Sequence, residues 1–199
     1  MLSKRKVEAK SFEKQSAKGS LVETLLKKLI ERDYRVISYD YDTVEGKKAQ
    51  HKGQDFVVDV NSVLQTCEIK YNSYAAKSNC FFIEDALNHK QGWCYTCTSE
   101  FIFLVIGDTG RVVVTSPQMI QKDLQEWKES YKTKRCASHN GYWSEGVIVP
   151  LEAIKGWRFS MYDQINIMDY LLNTDPDYDF QDCPEDLTNI MSKIDEFIL

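Results

Sequence analysis

Phe101–Gly107 reads FIFLVIG, seven residues without a charge or a hydrogen-bonding side chain. The run is far shorter than the ~20 residues needed to span a bilayer. It also lacks the polar alternation of a strand with one wet face. A short, unbroken apolar run of this kind fits a strand covered on both faces, which restricts the chain to a layered fold. Asp108-Thr109-Gly110 then turns into Arg111–Thr115 (RVVVT), a second strand candidate.

The remaining periodicity supplies the covering layers. Leu21, Val22, Leu25, Leu26, Leu29 and Ile30 recur at three- and four-residue intervals, predicting an amphipathic helix. Ser20 as N-cap and Glu23 three residues on have the spacing of a capping box. Tyr34–Tyr41 (YRVISYDY), Gln54–Val60 (QDFVVDV), Val63–Tyr71 (VLQTCEIKY), Cys80–Glu84 (CFFIE) and Val147–Val149 read as strands. Pro117 stands where helices begin, and Met119, Ile120, Leu124 and Trp127 give the helix that follows an apolar face. Thr43–Gly53 and Lys132–Trp143 read as loops, Asp85–Gly92 as a brief helix or loop, and Ile165–Leu172 and Leu187–Phe197 as helical. Hairpins outnumber strict βαβ alternation, so the expected fold is α/β, a central mixed sheet flanked by helices. A chain of 199 residues suits one such domain (19–159), preceded by a basic arm (1–18) and followed by an acidic helical segment (160–199) packed on it.

Charge is divided unevenly. From Ser160 onward ten acidic residues face a single base, Lys193, so that segment carries −9 and the first 159 residues +4 within the total of −5. A mildly basic body can hold a phosphate-binding face that the overall charge conceals; a solvated acidic helix is the plainer reading of the tail. No run is apolar enough for a membrane span, and no apolar segment follows the basic start to make a secretory signal. A cytoplasmic protein with reduced cysteines is expected.

Chemistry concentrates around Asn61-Ser62. If these two residues form a hairpin turn, Val60 faces Val63 and Asp55 lies opposite Glu68. Facing residues in an antiparallel pair point to one side, with Cβ atoms about 4.5–5.5 Å apart. Lys70, two residues past Glu68, shares that side. Phe56, Val58, Val60, Val63, Cys67 and Ile69 take the other as a core face. Two adjacent carboxylates resist joint ionisation unless a cation lies between them, and a hard divalent ion accepts one or two carboxylates plus water and phosphate oxygens. Lys70 would orient water and offset phosphoryl charge, and the Ile69 carbonyl could be a further ligand.

Gln54-Asp55 followed by Glu68-Ile69-Lys70 resembles the D…ExK motif of the PD-(D/E)xK nuclease superfamily, with Gln54 in place of the usual proline. Gly19-Ser20-Leu21-Val22-Glu23 followed by Tyr34-Arg35-Val36 is similar to the first helix and strand of archaeal Holliday-junction resolvases and related phage nucleases. The likeness covers roughly residues 19–72. It implies a restriction-endonuclease-like fold and a Mg2+- or Mn2+-dependent nuclease that leaves 5′-phosphate and 3′-hydroxyl ends. Its implied catalytic residues are Asp55, Glu68, Lys70 and Glu23, with Asp55, Glu68 and Ile69 as metal ligands. DNA, duplex or branched, is the expected partner, and a homodimer is in keeping with two-strand cutting. RNA as substrate, or a non-catalytic nucleic-acid-binding or protein-interaction module on the same fold, stand as alternatives.

Lys77, Lys90, Gln91 and Trp93, with Tyr74 and His89 nearby, mix basic and aromatic residues as substrate contacts do; Lys132–Arg135 (KTKR) has the same character. A solvated lysine loop looks alike. Glu84 is a possible added ligand, and Asp59 a solvated residue near the turn. Cys94-Tyr95-Thr96-Cys97 with Cys80, Cys136 and His139 could bind zinc, but the spacings fit no zinc pattern closely, and structural cysteines are expected.

Overall fold

A computed structural model describes residues 2–137 and 143–176. In chain order it contains α1 (Leu2–Glu31), β1 (Arg35–Ser38), α2 (Val44–His51), β2 (Phe56–Val60), β3 (Val63–Asn72), the one-turn α3 (Ala75–Ser78), β4 (Cys80–Leu87), β5 (Lys90–Gln91) and the one-turn α4 (Trp93–Thr96). Then come β6 (Phe101–Ile106), β7 (Arg111–Thr115), α5 (Pro117–Ser130), β8 (Thr133–Ala137), β9 (Trp143–Pro150), β10 (Trp157–Ser160) and α6 (Ile167–Asn173). The fold is mixed α/β, as expected. Its central sheet has the order β1-β2-β3-β6-β7-β10, with β3 and β6 parallel and the other neighbours antiparallel.

All six residues of β6 are buried. Phe101, Phe103 and Val105 face a layer formed by α1 and α6, through Val22, Leu25, Leu26, Leu29, Ile30, Ile167, Met168 and Leu171. Ile102, Leu104 and Ile106 face the opposite layer, through Ile120, Leu124 and Trp127 of α5 and Phe81, Ile83, Val147 and Val149. Each large apolar side chain withdrawn from water in this way contributes ~1.5–3 kcal/mol. The second layer holds a separate antiparallel sheet, β5-β4-β9-β8, which the sequence did not suggest.

Several elements differ from expectation. The first helix runs unbroken from Leu2, so residues 2–18 continue it as helix. That stretch has no proline and is rich in good helix formers. Ser20 and Glu23 therefore lie inside the helix, where no capping box forms, and Glu23 accepts instead from Lys27 at 2.7 Å, one turn on. Thr43–Gly53 folds as α2, capped by the Thr43 side chain accepting from the Gly46 N–H. Asp85–Gly92 completes β4 through a bulge and adds β5 across an Asn88-His89 turn, both residues having positive φ. Lys132–Trp143 was expected to be a loop, but Thr133–Ala137 pairs with β9 and Trp143 opens that strand; cross-strand pairing overrides a polar composition. β10 and α6 integrate residues 157–173 into the core, so the acidic segment begins as a structural element. The Leu187–Phe197 helix and His139 lie outside the described residues. No helix among the described residues is long and apolar enough to cross a membrane.

Candidate active site

The hairpin closes as the sequence predicts. Asn61 and Ser62 both have positive φ, 53° and 69°, the requirement of a two-residue type I′ turn. Asp59 braces the turn by accepting from the Ser62 N–H at 2.9 Å. Val60 pairs with Val63 and Phe56 with Cys67. One face carries Phe56, Val58, Val60 and Cys67 into the α1 side of the core, with Ile69 partly buried beside them. Val63 is the exception and is 57% exposed. The β3–β6 ladder begins only at Cys67, so the first residues of β3 overhang the sheet.

Asp55 stands one residue beyond the last ladder pair. Its own N–H donates to the Cys67 carbonyl at 2.8 Å, and its carboxylate Oδ2 accepts from the Ile69 N–H at 2.7 Å. A side chain thus takes over where the main-chain ladder stops. The N–H and C=O of one residue in an extended strand point the same way, so the Ile69 carbonyl is also directed toward the Asp55 side. Glu68 is only 4% exposed and is ion-paired with the Lys70 ammonium.

Burial pushes the Glu68 carboxyl up to about 7. Lys70 opposes that rise, and the charge and contact of Asp55 add to it. Burial would depress Lys70, but Glu68 and then Asp55 outweigh it and raise the ammonium above its ordinary value. The ammonium also lies 5.7 Å from the centroid of the Trp93 ring, within cation–π range. Glu84 completes this side. Burial raises its carboxyl, while a hydrogen bond from the Trp93 N–H and the charge of Lys70 hold it down. Lys70 is therefore bordered by two carboxylates and an aromatic face.

Tyr41 is a site residue that sequence reasoning missed. Its hydroxyl donates to Asp55 Oδ1 at 3.1 Å. Burial raises the phenol first, followed by Asp55, then Glu23, then Glu68. Three carboxylates, from α1, from β3 and from the residue before β2, thus act on one hydroxyl. The loop that delivers Tyr41 is held by α2: Thr43 Oγ1 donates to the Asp40 carbonyl at 2.6 Å. A Cβ at Gly46 would come within 1.9 Å of that same carbonyl oxygen, so only glycine fits there. Tyr41→Phe keeps the ring and removes one of two donors to Asp55. It is expected to cost about 1–2 kcal/mol of stability. Urea unfolding measures the effect, and an unchanged midpoint would dismiss the role.

The predicted residues divide clearly. Asp55, Glu68, Ile69, Lys70 and Trp93 come together. Glu23 joins at longer range, through its charge on Tyr41. Lys90 and Gln91 are exposed on β5, just before Gly92-Trp93, and Lys77 is exposed on α3, which packs near the turn at Gly107–Thr109. Cys97 donates to the Gly53 carbonyl at 3.3 Å, and Ser99 Oγ donates to the same oxygen at 2.6 Å. These bonds fix the approach to Asp55, so Cys97 serves a structural role. The five described cysteines are free thiols, with Cys67, Cys94 and Cys97 buried.

Among the described residues no cluster of three or more His, Cys, Asp or Glu side chains surrounds a common metal position. The candidate set is two carboxylates, Asp55 and Glu68, with the Ile69 carbonyl. That donor set suits magnesium or manganese, which bind through one or two carboxylates and complete their shell with water and substrate phosphate. Compared with protein-family models, curated proteins and solved structures, the chain finds no match in any of the three.

Proposed function

We propose that this protein is a magnesium- or manganese-dependent nuclease that hydrolyses phosphodiester bonds in DNA, in the manner of an endonuclease. The observation that carries the reading is the convergence of Asp55, Glu68 and Lys70 beside the Ile69 carbonyl, at the point where Asp55 replaces the β2–β3 ladder. Two carboxylates and an ammonium partly withdrawn from water are costly to hold together, and phosphoryl chemistry gives the cost a use. A divalent ion bound by Asp55 and Glu68 would neutralise phosphate charge and acidify a water.

The chain's own groups then divide the work. Asp55 is held by Ile69 and Tyr41, so its oxygens keep one orientation. Glu68 would hold such an ion in its charged form, since ligation requires the carboxylate. Lys70, ion-paired with Glu68 in the resting fold, would offer its ammonium to the phosphoryl oxygens or to the attacking water. Trp93 and Glu84 keep it from swinging away. A cytoplasmic setting agrees with the buried free thiols.

The test is direct. Purified protein is incubated with supercoiled, linear, single-stranded and branched DNA, and with RNA, in magnesium, manganese or chelator. Cutting in metal and not in chelator supports the reading, and preference among the substrates decides between DNA and RNA. Binding without cutting under every condition would instead favour a non-catalytic nucleic-acid-binding module.

A further inference from the structure

We propose that α2 is a grip for the nucleic-acid backbone, in which Lys47, Lys48 and Lys52 hold phosphates that flank the one bound at Asp55. The choice of ligand rests on the nuclease reading. The observations behind the grip are separate from the catalytic residues.

One side of α2 is cationic. At ~100° per residue, Lys47, Lys48, His51 and Lys52 fall within an arc of ~140°, and all four are exposed. Gly46 and Ala49, the buried residues of the helix, lie across the axis from that arc. Residues 46–54 hold three lysines and no acidic residue, in a protein of net charge −5. Among the described residues none of these three lysines forms an ion pair. Lys48 and Lys52 stand one turn apart, where like charges repel. The helix macrodipole favours cations in the last turn, which accounts for Lys48 and His51, but its reach ends there. Lys47 precedes that turn and still completes the same face.

This face is fixed to the catalytic centre. Gly53 has a φ of 61°. Its N–H donates to the Gln50 carbonyl, and the Gln54 N–H donates to the Ala49 carbonyl, both at 3.1 Å. That pair of bonds is the Schellman closure of a helix, and Asp55 is the next residue. From the other side the Thr98 N–H donates to the Lys52 carbonyl at 2.8 Å. The end of α2 is therefore held in one orientation relative to Asp55. Three residues of chain limit the Lys52–Asp55 Cα separation to ~11 Å, and phosphates along one strand of a duplex recur every ~3.4 Å of axis. A phosphate at Lys52 is then about three nucleotides from the one at Asp55. Lys47 to Lys52 covers ~7.5 Å of helix axis, room for two or three successive phosphates. Contacts of this kind position a backbone without reading its sequence. As the loop expected from sequence, residues 43–53 would give these lysines no common face.

Fluorescence anisotropy in chelator tests the grip with labelled duplex DNA, single-stranded DNA and single-stranded RNA. The triple variant Lys47→Gln, Lys48→Gln, Lys52→Gln alters exposed side chains only and keeps good helix formers on α2. It should bind at least ~10-fold more weakly, and the slope of log affinity against log salt should flatten by ~0.9 per lost contact on duplex or ~0.7 on single strands. A second triple variant, Lys122→Gln, Lys132→Gln, Lys134→Gln, removes the same charge from α5 and the region of β8, and should bind as wild type does. Equal losses in the two variants would reduce the effect to net charge and overturn the proposal. Unchanged affinity and slope in the first variant would overturn it as well; a lower urea midpoint alone is what a purely dipolar role predicts. Binding of phosphatidylserine vesicles and of no nucleic acid would also sink it. Wild-type protein that grips through α2 and never cuts would remove the nuclease reading and leave the face standing. Cutting by wild type, with undiminished binding in the first variant, would do the reverse.

Discussion

Lys70→Met is expected to lower the rate of metal-dependent strand cleavage by roughly 10²–10³-fold, the loss seen when one preorganised charge-stabilising group is removed. Methionine keeps most of the volume against Trp93, so the change is mainly one of charge. Asp55→Asn should do at least as much harm by a different route. The amide oxygen can still accept from the Ile69 N–H, so the hairpin stays closed, but the charge proposed to hold the ion is gone. The two variants are separable. Lys70→Met should leave divalent-ion binding in place, while Asp55→Asn should lose it. Circular dichroism and urea unfolding establish that each variant is folded, and single-turnover cleavage on the best wild-type substrate gives the rate. Wild-type rates in a folded Lys70→Met protein would remove lysine from the chemistry and reopen the non-catalytic reading.

Much of this centre was legible in the sequence because its signals are local. The turn at Asn61-Ser62 sets the register, and strand alternation then dictates which side chains share a face. Asp55, Glu68 and Lys70 follow from those two rules alone. FIFLVIG likewise announced a doubly covered strand, and β6 is buried along its whole length. What escaped depends on contacts distant in sequence. Tyr41 becomes part of the site only because α2 and Gly46 seat its loop against β2, and no periodicity marks that. The second sheet was hidden for a similar reason. TKRCA is polar and short, and it is a strand only by virtue of its ladder with β9. The helix start was missed in the opposite sense: Ser20 and Glu23 have a capping spacing, yet good helix formers upstream carry α1 straight through them.

Glu68→Gln should gain stability relative to wild type as the pH rises in chelator, and it should lose the response to metal. The Glu68 carboxyl titrates near 7 in the folded chain, against about 4.3–4.5 when unfolded. Its folded value is the higher one, so the folded state holds a proton that the unfolded state releases between those two limits. The associated stability is fully present below pH ~4.5 and is lost as the pH rises through 7. The size of that loss is about 3 kcal/mol, from 1.36 kcal/mol per pKa unit. Glutamine has the same shape and no proton to lose. The difference between Glu68→Gln and wild type should therefore widen by about 3 kcal/mol from pH 4.5 to pH 8, or roughly 6–12 °C in melting temperature for a chain of this size. Glutamine also removes the main counter-charge that holds the Lys70 ammonium up against burial, so the comparison is repeated in a Lys70→Met background, where lysine contributes nothing to the slope. Magnesium or manganese should shift the difference toward wild type, because an ion that binds only the folded wild type stabilises it by mass action. Binding displaces the Glu68 proton, so Mn2+ affinity should climb about tenfold per pH unit below 7 and level off above it. A pH-independent gap between the two proteins would mean that Glu68 is already ionised in the resting fold, and that the carboxylate pair is not held in readiness for a cation.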